Sequence, residues 1–287
     1  MSSLQLAGPY FTFFVFLIAA FLAVGREFWT ARGLDKALPL ARVCYAVPLA
    51  VFGAEHLTDP QSIVRIIPAW MPAKLFWAYF VGVCLIAAAV SFIFRIRMPL
   101  AAAMLALMFV LFVAMMHLPN LIRLPHSRAA WNIVMRDSGF GAGALLLSLA
   151  SLTRARTVLE NRLAIGALGW IAVVSAFYGV ESLVRPELVP AIPLEKTMPL
   201  WIPLAHFWTP LTGVLLILGA AAMLVKKISR AAAAAIGAWV VLMVLTVYLA
   251  IMIAQRDIEG LNYFTDTLVF GGELLLASCA YQAAPKR

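Results

Sequence analysis

Apolar residues run along this chain in long stretches separated by charges or by proline and glycine clusters, with none of the polar alternation of a half-buried strand. A bilayer-crossing helix takes roughly 20 predominantly apolar residues. Nine stretches qualify, at about 10–25, 38–57, 75–94, 98–118, 138–153, 163–183, 202–225, 231–253 and 266–283. The pattern predicts an all-α polytopic membrane protein with short loops. The first stretch follows Met1-Ser2-Ser3-Leu4, without the basic region of a secretory signal, so it is expected to remain a transmembrane helix.

The chain also repeats itself. Gly53, Glu55, Leu57 and Pro60 recur 126 positions later as Gly179, Glu181, Leu183 and Pro186. After a five-residue insertion, Pro68, Trp70, Pro72, Phe76, Trp77 and Gly82 match Pro199, Trp201, Pro203, Phe207, Trp208 and Gly213 at an offset of 131. Asn132, Phe140 and Gly141 match Asn262, Phe270 and Gly271 at 130. Thirteen identities in one order predict an N-terminal helix with its loop (1–37) followed by two four-helix units, 38–153 and 154–287. An even number of spans per unit makes the repeats parallel, related by a pseudo-twofold along the membrane normal.

Composition agrees. Of 287 residues, 64% are hydrophobic and 12% charged, half the charged share of a soluble domain. Neither a dinucleotide-binding nor a P-loop glycine motif is present. The net charge of +9 would suggest nucleic acid in a soluble protein, but topology accounts for it here. With the N-terminus outside, Arg26, Arg32, Lys36, Arg42, Arg95, Arg97, Arg154, Arg156, Arg162, Lys226, Lys227, Arg230, Lys286 and Arg287 all fall inside, fourteen of the 22 basic residues. The C-terminus is then cytoplasmic, the bilayer is the expected partner and nucleic acid is not. Cys44, Cys84 and Cys279 lie in apolar stretches without a CxxC pair and read as core residues.

This topology gathers Glu55, His56, Trp70, Trp77, His117, Glu181, Trp201, His206, Trp208 and Tyr248 near the outer helix ends. Ionisable groups in spanning helices are costly and often mark a ligand or proton path. Glu55 and Glu181 occupy equivalent places and either line an outer cavity or cap structure. Glu55 and His56 are consecutive, about 100° apart on a helix, and cannot share one radius. His56 and His117 can meet in one cavity of a four-helix bundle; they lack the HxxxH or ExxH spacing of metal ligands, so no metal site is expected and haem is disfavoured. The second unit replaces them by Ser182 and Tyr248, which points to the first unit as the one holding any site. Glu273, placed about 10 Å below the outer boundary after Gly271-Gly272, is either a functional intramembrane acid or a neutral carboxyl locking two helices. The proline-broken segment from Pro60 to Lys74 and its copy from Pro186 to Pro203 read as interfacial, an aromatic belt or a lid. Arg123, His126 and Arg128 fall in the next outer loop, as solvated residues or headgroup contacts.

Gly53, Glu55, His56, Pro60, Pro68, Trp70 and Pro72 give a pattern that resembles the DoxX-like family of small four-helix membrane proteins, over about 38–153 and more loosely 163–283. The resemblance implies a respiratory or lipid-phase connection in a prokaryotic plasma (inner) membrane, since members similar to this family include subunits of archaeal terminal quinol oxidase and thiosulfate:quinone oxidoreductase. It does not imply a reaction.

The first functional expectation is an accessory or binding subunit that holds a quinone, isoprenoid or lipid headgroup at the outer leaflet. His56 and His117 bond the headgroup, Glu55 exchanges its proton, and Trp70 and Trp77 pack the ring or tail. The alternatives are a scaffold packed against other membrane-complex subunits through alanine-rich helix faces, and a small-molecule transporter. Catalysis by this chain alone is the least supported, and a cofactor stays unassigned beyond the fit of quinone.

Overall fold

The computed structural model describes residues 3–192 and 195–281 and is all-α: among those residues no strand forms, only one isolated bridge between Leu188 and Thr197. Ten helices follow one another. They are α1 (Ser3–Thr30), α2 (Ala37–Thr58), the short α3 (Pro60–Ile66), α4 (Lys74–Phe94), α5 (Met98–Arg123), α6 (Arg128–Ala150), α7 (Val158–Val184), α8 (Ala205–Leu224), α9 (Ser229–Gln255) and α10 (Ile258–Ala277). Eight are long and apolar enough to cross a membrane: α1, α2, whose span begins with the short 3-10 turn at Gly33, and α4 to α9. The chain is built as an integral, multi-pass membrane protein.

Local chemistry sets the helix ends. Pro60 and Pro99 sit in first turns, where a missing N–H costs nothing. Ser127 caps α6, Thr157 and Glu160 form a capping box on α7, and Asp257 caps α10. These caps correct the sequence reading. The expected fifth and ninth spans, α6 and α10, start at Arg128 and Ile258, well before the expected 138 and 266, because their early turns carry polar residues that are buried in the protein, Asn132 and Asp137 in one and Thr265 and Asp266 in the other. The far end of the expected ninth span, 282–283, lies outside the described residues.

The polarity of the bundle is inverted relative to a soluble protein. Phe11, Phe21, Leu22, Val83 and Val110 are exposed on the outside, whereas Arg42, Asn132, Asp137, Thr265, Asp266, Thr267 and Glu273 are buried. At the centre stands α10, in contact with α1, α2, α6, α7 and α9, and buried almost throughout. Its polar content explains why it is not apolar enough to count with the other eight.

Tight contacts recur in pairs. A methyl added at Gly53 would lie 2.6 Å from Ile86 Cγ1 and 2.8 Å from the Gly82 carbonyl, so α2 and α4 touch backbone to backbone. Between α7 and α8, one at Gly179 would lie 2.7 Å from Ile217 Cγ1 and 2.9 Å from the Gly213 carbonyl. Wide π turns interrupt α5 at Val113–His117 and α9 at Val244–Tyr248. His117 and Tyr248 therefore lie within continuous helices that run on to Arg123 and Gln255, and His117 does not end its span as expected.

One end of the bundle is tied by Glu27 with Arg42 and Arg95, Asp35 with Arg230, and Arg156 donating to the Ala280 carbonyl at 2.8 Å. These are residues that charge counting puts on one side together. Lys196 and Glu259 pair at the opposite end.

Candidate functional site

A cavity of about 740 Å³ opens on the flank of the bundle between α4 and α5. These helices run side by side with far less mutual contact than α2 with α4 or α5 with α6. Apolar walls come from Phe52 of α2, Phe80 and Cys84 of α4, and Met104, Met108 and Phe112 of α5, while Met115 and Met116 follow in the π turn. Leu107 and Leu111 line it and are also exposed on the outer surface, so the opening faces the bilayer side of the protein. Ile63, Ile66, Ile67 and Met71 close one end.

The other face of the cavity is polar, with Glu55, His56, His117, Arg136, Asp137, Asn262 and Asp266 all in its lining. Arg136 organises the group. Its Nε donates to Asp137 Oδ1 at 2.9 Å and its Nη1 to Asp266 Oδ2 at 2.8 Å, which joins α6 to α10. His117 Nε2 lies 2.8 Å from the other Asp137 oxygen, so α5 is tied to the same cluster. Arg136 is eight residues into α6, on the order of 12 Å along the helix from its start, so this polar chemistry sits within a helix long and apolar enough to cross a membrane. The protein supplies what the bilayer cannot, a partner for each charge.

His56 bonds through Nδ1 to the Phe52 carbonyl at 2.7 Å. A carbonyl only accepts, so Nδ1 carries the proton and neutral His56 keeps an Nε2 lone pair. Asn262 donates to Glu55 Oε2 at 3.4 Å, while Glu55 Oε1 and Asn262 Oδ1 are buried without a hydrogen-bond partner. The 100° separation of Glu55 and His56 does not prevent both from lining the cavity, because it wraps around the end of α2.

The remaining expected residues divide. Trp77 lines the cavity, whereas Trp70 and Trp201 are exposed, 66% and 58%, and do not. Glu181 does not repeat the setting of Glu55, being paired with Arg128, which begins α6 and is not a loop residue. Trp208 donates to the Pro203 carbonyl at 2.8 Å and packs near Trp239. Tyr248 is fully buried, donating to the Pro190 carbonyl, and Val189, Ala191 and Ile192 beside it are fully buried too. Where the first half of the chain keeps a cavity beside His117, the second fills the space beside Tyr248 with its own backbone.

Glu273 is completely buried with neither oxygen hydrogen-bonded. It stands fifteen residues into α10, on the order of 22 Å from its start instead of the expected 10 Å, because the helix begins earlier. It does not line the cavity. Gly139 and Gly143 make room for it: a methyl at Gly139 would come within 2.8 Å of both its oxygens.

Sequence reasoning missed Arg136, Asp137 and Asp266, and used Asn262 only as a repeat match. The signal was present in the caps, because Ser127 and Asp257 mark helix starts upstream of all four residues. Among the described residues, no group of three or more His, Cys, Asp and Glu side chains could hold a metal ion.

Residues 45–136 match the model of a domain of unknown function, DUF8561, a segment that ends at Arg136. No curated protein and no solved structure matches the chain. Nothing in these comparisons links it to the DoxX-like proteins.

Proposed function

We propose that this membrane protein is a binding subunit that holds an amphiphile, a quinone, isoprenoid or lipid, with its apolar part between α4 and α5 and its headgroup on the polar cluster. The observation that carries this reading is the cavity itself, with greasy walls open toward the bilayer and seven polar or ionisable side chains converging at one face. Its methionines are unbranched and adapt to irregular apolar partners. His56 offers a lone pair to the headgroup, and Glu55 stands in place to exchange a proton with it.

The architecture proposed with it is nine spans, with α10 as the ninth, arranged as an N-terminal helix and two parallel four-helix units. Supporting it are the matched glycine contacts, the two π turns 131 positions apart, and contacts between positions 130 apart, Arg136 with Asp266 and Gly143 with Glu273, as expected beside a pseudo-twofold axis. The proposal includes the N-terminus outside, the C-terminus cytoplasmic, and a prokaryotic plasma membrane as the location. Kinship with the DoxX-like proteins, and contact with other membrane-complex subunits, rest on the sequence pattern alone. The orientation is checked with single cysteines introduced at 63 and 228: a membrane-impermeant maleimide on intact cells is expected to label the first and spare the second.

The ligand is tested by mass spectrometry of the organic extract of protein purified in mild detergent. A near-stoichiometric amphiphile is expected in the wild type and is expected to be lost in the His56→Ala/His117→Ala double variant. It should also be lost in Met108→Trp, which leaves the polar cluster intact. Position 108 corresponds to Trp239 in the second half, where the indole donates to Thr212 at 3.0 Å between α8 and α9. An extract unchanged in both variants would refute the binding role and favour the scaffold.

A further inference from the structure

Within that binding role, we propose that the site selects headgroups that donate hydrogen bonds, an alcohol or phenol hydroxyl or a protonated amine, and rejects phosphates and carboxylates. The inference rests on which bonds the polar face has left to make. Glu55 and Asn262 line the cavity's polar face, and Glu55 Oε1 and Asn262 Oδ1 are buried there without partners. His56 adds the Nε2 lone pair, since its proton is held at Nδ1 by the Phe52 carbonyl. Three acceptors on α2 and α10 thus await a donor.

The charge balance points the same way. Arg136 is the single Lys or Arg among the lining residues, and it is shared between Asp137 and Asp266. Glu55 adds a third carboxyl group to the same face. His117 gives its Nε2 to Asp137. A phosphate or carboxylate would enter beside three carboxyl groups with one shared guanidinium to meet it, and would leave the acceptors of Glu55 and Asn262 unsatisfied. Both effects penalise it: like charges repel strongly in a low-dielectric site, and a buried acceptor without a donor carries its full desolvation cost. A hydroxyl or ammonium satisfies those acceptors, and the walls, including Trp77, Phe52 and Phe80, accept any apolar chain.

The test uses the full chain in mild detergent, stripped of endogenous lipid, and four probes with one ten-carbon chain: 1-decanol, decylamine, decanoate and decyl phosphate. Native mass spectrometry counts bound probe, and the occupancy that survives in Met108→Trp is subtracted as binding outside the cavity. Decanol, decylamine or both are expected to exceed decanoate and decyl phosphate about tenfold or more, since sites built around a hydrogen-bonding group discriminate sharply against ligands lacking it. Decanol alone identifies a neutral hydroxyl ligand and decylamine alone a cationic one. Glu55→Gln keeps an acceptor but removes the carboxyl, so it is expected to weaken decylamine about tenfold and leave decanol within about threefold. Decanoate or decyl phosphate at equal or higher cavity occupancy would overturn the selectivity while leaving the binding role standing. Absence of cavity binding by all four would instead bring down the binding role itself.

Discussion

Arg136→Leu is expected to be the most damaging single substitution at the cavity, costing about 3–5 kcal/mol of stability, the usual penalty for breaking a buried ion pair from one side. Arg136 is the group that lets Asp137 of α6 and Asp266 of α10 sit inside the bundle, and His117 of α5 reaches the cluster only through Asp137. Removing the guanidinium leaves two carboxylates facing one another with no cation between them. Thermal unfolding in detergent is expected to show a large drop in midpoint for Arg136→Leu. Arg136→Leu with Asp137→Asn and Asp266→Asn is expected to recover most of it, because neutral amides can bond one another at little desolvation cost. Arg136→Lys is expected to fall between, since an ammonium cannot reproduce the guanidinium fork that serves both acids. A midpoint for Arg136→Leu equal to that of the wild type would show that the cluster does not hold α6 against α10.

Gly53→Ala and Gly179→Ala are expected to destabilise by about 1–3 kcal/mol each, the usual cost of overpacking, and by similar amounts. In both places the new methyl meets the carbonyl oxygen of a facing glycine, 2.8 Å away at Gly82 and 2.9 Å away at Gly213, and a backbone cannot swing aside as a side chain can. The helices must separate instead. The same substitution at Gly166 or Gly169 in α7 meets nothing within 4 Å, so it should be neutral or gain about 0.5–1 kcal/mol from helix propensity. Four thermal melts decide it: destabilisation at 166 and 169 equal to that at 53 and 179 would mean that the close helix approach is not what these glycines provide.

The extent to which this molecule was legible in its sequence follows from where its polar residues point. Helices α2, α4, α7, α8 and α9 were read to within a few residues because lipid-facing surfaces must be apolar, and apolar runs are what hydropathy detects. The starts of α6 and α10 were missed for the complementary reason. Arg128, Asn132, Arg136 and Asp137 look like a loop in sequence, yet they lie on a helix whose inner face meets other polar groups. Helix order alone suggests that His56 and His117 can share a cavity, and both are among the residues lining the one between α4 and α5. Glu181 was assigned by repeat equivalence with Glu55, and equivalence of position did not bring equivalence of partners, because Arg128 stands beside one and Asn262 beside the other. Nor did the sequence tell that the longer second loop would fold inward and bury Val189, Ala191 and Ile192; the insertion was visible, but its direction was not.

The burial of α10 has a consequence for how the protein is made. A helix bearing Asp266 and Glu273 enters lipid at a penalty of about 2.5 kcal/mol or more for a central acidic residue, while the eight apolar helices enter readily. Ribosomes deliver α10 after all of those, when α2, α6, α7 and α9 are already available to line a slot for it and Arg136 is waiting for Asp266. In the nine-span arrangement proposed above, order of synthesis becomes part of the folding mechanism: the chain first builds a receptor within the membrane, then closes it with the helix that lipid alone would receive poorly.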